Sequence, residues 1–325
     1  MKNWVLHETD LFRPHEDPDD HWDLACQFAL AKKGLIDLRG ILIDYPPRPT
    51  MEDPDVLAVA QLGWISGVAV PMGMGQICAA DAPGSGLNML NKILTEAPEP
   101  IVLHIVGSCR DIAECGMRWP ELFARKVKAI YLNAGSGTNT TNKEYNVELD
   151  VEHYAQIFKL PCPIYWMPCF HNVDNWNESG YGTYYRFLQK RLFGEMSVPV
   201  LNYFLNMLSR NRCSDWFAML DRPVDERQVQ YFGEQYRNMW CTGGFLHTAG
   251  LAVWEDGTIA PCGTDPDREV FEFVPIQVTC DMDGRTHWNP DPQSKDRFIY
   301  HVKNKACYQE AMTIALGKMI SWLSE

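Results

Sequence analysis

Glu8-Thr9-Asp10 closes a short apolar run, Trp4-Val5-Leu6, and the acidic turn Asp17-Pro18-Asp19-Asp20 follows a few residues later. Carboxylates delivered to the end of one strand repel one another and raise at least one pKa unless a proton or a cation relieves them. The layout therefore suits an oxygen-coordinated divalent metal. A solvated acidic loop has the same composition and is the competing reading.

The elements that would position these carboxylates follow from periodicity. His21 to Lys33 carries Trp22, Leu24, Ala25, Phe28, Ala29 and Leu30 at helical spacing, with Asp19 or Asp20 placed to cap its start. Strands are expected at 38–44, 68–71, 101–106, 129–132 and 163–166, and helices at 55–64, 87–95, 111–126 and 151–158. Ile101 to Val106 is apolar almost throughout, the mark of a strand covered on both faces. Strand and helix alternate to about residue 168, which predicts a doubly wound, mostly parallel α/β sheet with a Rossmann-like core and ligands beyond the C-terminal strand ends. The texture then changes to aromatic stretches, 184–193, 201–208 and 226–239, read as a helical insertion covering the ligand edge. Asp256-Gly257 signals a hairpin, a small C-terminal β element spans 271–279 and 298–302, and 306–323 closes as a helix. One domain over 1–325 is expected, with core 1–170, helical cap 172–245 and C-terminal hairpin and helix 246–325.

Composition narrows the function classes. Hydrophobic residues make up 46% of the chain, with 11 Trp, 13 Tyr and 14 Phe, too apolar for disorder. The balance of 29 Lys and Arg against 42 Asp and Glu gives a net charge of −13, which disfavours nucleic acid and anionic membranes as partners. Eleven scattered Cys without a C-x-x-C pair read as reduced thiols rather than a disulfide framework or zinc site. With no signal-peptide core and no apolar run of the roughly 18 residues a membrane helix needs, a cytoplasmic protein is expected.

With these landmarks placed, the chain resembles the nucleoside hydrolase family, the inosine-uridine-preferring N-ribohydrolases and their relatives, as a divergent member. Glu8-Thr9-Asp10 and Asp19-Asp20 stand where the family writes D-x-D and D-D. Gly107-Ser108-Cys109-Arg110-Asp111-Ile112-Ala113 is similar to its G-P-L-T-N-I-A turn, Leu132-Asn133-Ala134-Gly135 to L-M-G-G, Glu144-Tyr145-Asn146 to E-F-N, and Leu246-His247-Thr248 with the residues after it to the H-D-P-L-A segment. The resemblance implies a calcium ion held by Asp10, Asp20, the backbone carbonyl of Arg110 and the position of Thr248. It implies Asp10 as general base, Asp19, Asn133, Glu144 and Asn146 at the sugar, and His247 as a group able to protonate a departing base. The activity implied is hydrolysis of the N-glycosidic bond of a nucleoside or related riboside, by a family that tends to form homo-oligomers.

Departures matter as well. Thr248 replaces a carboxylate ligand, and affinity for calcium tracks ligand charge, so the ion is expected to be weakly held or absent. The Asp10 to Asp19 loop is longer than the family's, and Tyr45-Pro46-Pro47 replaces its G-N. An inactive nucleoside- or sugar-binding relative is the alternative. His247 is as readily a satisfied core or loop histidine, while His7, His104 and His301 read as structural. Trp166, Trp176 and Trp240 are candidates to stack on a base.

Overall fold

The structure, a computed structural model, describes residues 2–11, 18–44, 54–77, 84–138, 143–171, 179–210 and 215–325. Asp17, the Tyr45-Pro46-Pro47 segment and Trp176 lie outside them. The first half runs β1 (Trp4–Thr9), α1 (Pro18–Lys32), β2 (Asp37–Ile43), α2 (Pro54–Ser66), β3 (Met72–Met74), α3 (Ser85–Glu96), β4 (Ile101–Ile105), α4 (Arg110–Arg118), α5 (Pro120–Lys126), β5 (Val127–Leu132), α6 (Tyr145–Leu149), α7 (Val151–Ile157) and β6 (Ile164–Trp166). These strands pair in parallel in the order β6-β5-β4-β1-β2-β3. The chain winds outward from β1 to β3, then restarts at β4 on the other side. The reversal between β1 and β4 is the topological switch point, where such sheets leave a crevice beyond their C-terminal strand ends.

Both faces of the sheet are covered, as the apolar run at β4 requires: all five of its residues are buried. One core cluster joins α1 to α2, Phe204, Tyr203 and the C-terminal helix, with Trp22 stacked on Phe204 at 4.0 Å between ring centres. The other packs Leu87, Leu90, Ile112, Phe123 and Tyr154 against the opposite face.

After β6 come β7 (Tyr185–Leu188), α8 (Lys190–Phe193), α9 (Val198–Leu208), α10 (Glu226–Gly233), β8 (Tyr236–Met239) and α11 (Thr242–Thr248). The expected helices over 184–193 and 226–239 are thus each part strand. β7 and β8 form an antiparallel ribbon, and Tyr185 and Phe187 are buried while Arg186 is exposed, a period of two that a window tuned to aromatic helices overlooks. The chain ends with β9 (Leu251–Val253), β10 (Ile259–Pro261), β11 (Phe271–Cys280), β12 (Thr286–Pro290), β13 (Arg297–Val302) and α12 (Lys305–Ser324). β13 pairs with β6 in parallel, while β11 and β12 add antiparallel strands beyond it, so the C-terminal β element extends the main sheet to nine strands.

Two local expectations shift. The strand placed at 68–71 lies at Met72–Met74, and Pro71, which has no N–H to give, only accepts from Ile41 N at 3.0 Å. The helix expected over 111–126 breaks at Trp119, whose backbone leaves the helical region ahead of Pro120. Among the described residues no helix is long and apolar enough to cross a membrane.

Candidate active site at the switch point

Pro18 opens α1, its fixed φ suited to a first helical turn, and Asp19 and Asp20 follow where unpaired N–H groups and the helix dipole favour negative charge. Asp23 lies one turn on. The spacing i, i+3 and i+4 puts all three on one face, and their carboxylate oxygens lie within 4.8 Å of one another, all buried. Asp20 ties the helix to the sheet: its Oδ2 accepts from Thr9 Oγ1 at 2.7 Å and from Asp10 N at 3.1 Å. Asp10 therefore sits against the trio through its backbone. Asp23, which the sequence reading did not single out, is fully buried. The interval in Asp19-Asp20-His21-Trp22-Asp23 was the available signal.

Two of the trio, Asp19 and Asp20, border a pocket of about 320 Å³ also lined by Asn133, Glu144, Asn146, Phe170, Arg237 and Trp240, among others, with Asp23 buried behind them. Glu144 caps α6. Its Oε1 accepts from Asn146 N at 3.0 Å and its Oε2 from Gly135 N at 2.7 Å, while burial pushes its pKa up against these bonds. Asn146 Nδ2 donates to Val106 O at 2.8 Å and to Asn133 O at 3.2 Å, which stitches together the chain beyond β4 and β5. Asn133 is engaged by structure: its Nδ2 donates to Met167 O at 2.8 Å and its Oδ1 accepts from Cys241 Sγ at 3.1 Å. Cys241 also faces Asp23, and burial first, then the Asp23 carboxylate, holds its thiol well above the usual range.

A second acidic ring lies behind the first. Glu8 Oε2 accepts from Val106 N and Gly107 N, each at 3.2 Å, and Asp44 takes Ser108 N at 2.9 Å and Ser108 Oγ at 2.8 Å. A Cβ at Gly107 would lie 2.7 Å from Glu8 Oε1 and 3.1 Å from Asp44 Oδ2, so the turn after β4 needs glycine for close approach. Glu8 Oε1 has no hydrogen-bond partner among the described residues. Burial, then Asp44, raises Glu8 well above the carboxylate range and Asp111 to about 7. Protonation is one relief such a ring has.

The remaining sequence candidates fall elsewhere. Arg110 turns its side chain away from the trio, with Nε donating to Asp150 Oδ2 at 2.8 Å, Nη1 to Gln76 O at 2.9 Å and Nη2 to Leu149 O at 3.0 Å; its backbone opens α4. Thr248 ends α11, hydrogen-bonded through Oγ1 to His104 Nε2 at 2.8 Å and through its carbonyl to Asn3 Nδ2 at 2.7 Å, toward the start of β1 rather than its end. His247 packs among Tyr131, Tyr165 and Phe273, its Nδ1 2.6 Å from the Tyr131 hydroxyl, and burial lowers it to about 4. It is the start of α11, at Cys241, that meets the acidic trio, which corrects the expected placement of Thr248 and His247 there. Trp166 is core, donating to Ala134 O at 2.8 Å, whereas Trp240 lines the pocket.

This fold is that of the nucleoside hydrolases, in a divergent form. A plant nucleoside hydrolase, PpNRh1, superposes with a TM-score of 0.61 at 14% identity, covering 99% of both chains. The type III effector protein XopQ complexed with adenosine diphosphate ribose gives 0.62 at 14% identity, over 99% of this chain and 94% of that one. In sequence, 72 residues are 32% identical to the non-specific ribonucleoside hydrolase RihC of Salmonella paratyphi A; they are 22% of this chain and 24% of that protein, so the match spans about a quarter of the curated relative. No protein-family model matches the chain.

Proposed function

We propose that the pocket at the switch point binds a riboside and hydrolyses its N-glycosidic bond. The observation that carries this reading is the buried trio Asp19, Asp20 and Asp23 beside Asp10, across a pocket whose other wall presents Glu144 and Asn146. The shared fold with nucleoside hydrolases, the stretch similar to RihC and the ribosyl ligand named for XopQ support it.

The trio's chemistry fits a hard divalent cation such as Ca2+, since carboxylate oxygens that close together and that buried call for positive charge. When bound, such an ion supplies a water of lowered pKa and a grip on vicinal hydroxyls. Asp20 and Asp23 would hold it, with Asp10, tied to Asp20 through its backbone, as a further oxygen donor. Asp10 takes the proton from the attacking water. Asp19, Glu144 and Asn146 orient the sugar hydroxyls, and the carboxylate-rich wall stabilises the oxocarbenium character that develops on the ring as the bond breaks. His247 has no part in this scheme.

A second reading, a riboside-binding protein without turnover, is favoured by one observation: Cys241 brings a thiol rather than a further carboxylate to the trio. Thermal unfolding with Ca2+ and a riboside, separately and together, tests the binding that both readings share. The two ligands should raise the midpoint more together than the sum of each alone, and Asp20→Asn should abolish the effect. A midpoint indifferent to both ligands would refute the proposal, and protection without release of free base would select the second reading.

A further inference from the structure

The pocket is polarised. Its floor is a set of hydrogen-bond acceptors, the carboxylates of Asp19, Asp20 and Glu144, whereas the β7–β8 side offers donors. Arg237 lines the pocket from β8, its Nε donating to Gln189 Oε1 at 3.4 Å. Gln189 is fully buried and anchored in turn by a bond from its Nε2 to Phe232 O at 2.9 Å. Next to it, Asn238 accepts from Tyr184 Oη at 3.1 Å through its Oδ1, which leaves its amide N–H groups as the polar face it can offer a ligand. Arg186 adds a second guanidinium to the same ribbon, stacked 4.0 Å over Tyr236 and hydrogen-bonded to Tyr184. Trp240 lines the pocket too, and its buried indole N–H has no acceptor among the described residues. A donor held without an acceptor costs stability until something supplies one.

Acceptors at one end and donors with positive charge at the other describe a ligand of matching polarity: hydroxyl groups for the floor and an anionic, oxygen-rich group for the ribbon. Resting on the riboside reading above, we propose that the ligand is a phosphorylated riboside, with its diol toward the carboxylates and its phosphate toward Arg237 and Trp240. A guanidinium fork matches phosphate oxygens in a way a lone ammonium does not. The volume of about 320 Å³ is at the small end of the roughly 300–1,000 Å³ typical of ligand pockets, room for one nucleoside monophosphate rather than a dinucleotide. The competing account makes Arg237 a counter-ion for the neighbouring carboxylates, with no role in choosing the ligand.

The two accounts separate on titrating the full-length chain, in Ca2+, with adenosine and with adenosine 5′-monophosphate. The wild type should prefer the monophosphate by about tenfold or more, the scale of one charge-assisted hydrogen bond. In Arg237→Gln that preference should collapse to about twofold or less while adenosine affinity holds. Inorganic phosphate should compete with the monophosphate in the wild type and not in the variant. Trp240→Phe, which keeps the ring and removes only the N–H, should lower the preference in the same direction and stands in if Arg237→Gln does not fold. Equal affinity of the wild type for both ligands, or an equal loss for both in the variants, would overturn the proposal and leave the riboside reading intact. If neither ligand binds at all, the riboside reading fails and this inference with it, while binding of adenosine alone overturns only this inference.

Discussion

His247 and Asp20 show how far chemistry at one residue depends on its surroundings. With its pKa lowered by burial from 6.5 to about 4, His247 is neutral at physiological pH and bonded to Tyr131, so it holds no proton for a leaving group there. His247→Gln should leave turnover within about threefold of wild type, whereas a catalytic acid would cost about 10²-fold or more. The pH dependence of stability carries the opposite signature. Because the unfolded chain binds this proton more tightly, stability from this group is present above about 6.5 and lost as pH falls toward 4. The stability gap between wild type and His247→Gln should therefore shrink over that window, as followed by denaturant unfolding at several pH values.

At this scale the acidic turn itself makes Asp19 and Asp20 legible, because clustered carboxylates are costly, while Glu144 and Asn146 are expected only through the resemblance to the nucleoside hydrolases. Asp19, Asp20, Glu144 and Asn146 do line one pocket. Asp23 and Cys241 were not singled out: the first reads as one more polar residue in a helix, and the second gains its meaning only from packing against Asp23 and Asn133. Thr248 lies at the end of α11 against His104 and Asn3, whereas it is the start of that helix, at Cys241, that meets the carboxylates, and the order of letters in the sequence does not reveal which end of a helix faces them.

At the scale of elements, the turn from β4 into α4 carries the tightest requirement. Gly107 lets Glu8 and Asp44 close around the backbone, and Gly107→Ala would force a methyl group to within 2.7 Å of Glu8 Oε1. Overpacking of that kind typically costs about 1–3 kcal/mol, to be read from the denaturant midpoint. At α6, Glu144→Ala removes a helix cap and the bond to Gly135 N, a loss of about 0.5–2 kcal/mol by the usual worth of a cap. Helices and buried strands were readable from period and punctuation. The β7–β8 ribbon was not, since each of its strands is only four residues long and gives too short a signal, yet it supplies the donor wall of the pocket.

At the scale of the whole molecule, the alternation of strand and helix fixes where the crevice must lie, and the order β3-β2-β1-β4-β5-β6 places it between β1 and β4. The C-terminal strands could not be assigned to this sheet from the sequence alone, because the pairing of β13 with β6 joins segments more than a hundred residues apart. Nothing local announces such a contact. The buried trio gives a further expectation: a cation that binds only the folded state stabilises it by mass action, about 2.7 kcal/mol at a hundred times its Kd. Ca2+ should therefore raise the unfolding midpoint of the wild type and not of a chain carrying Asp20→Asn and Asp23→Asn.

The most direct test of the central claim is the release of reducing sugar and free base from a panel of ribosides and their 5′-phosphates in Ca2+, with wild type and Asp20→Asn assayed side by side. The account predicts release by the wild type, suppression by a chelator with recovery on adding Ca2+ back, and a loss of about 10²-fold or more in the variant. Release that survives both the chelator and the substitution, or no release from any member of the panel, would contradict it.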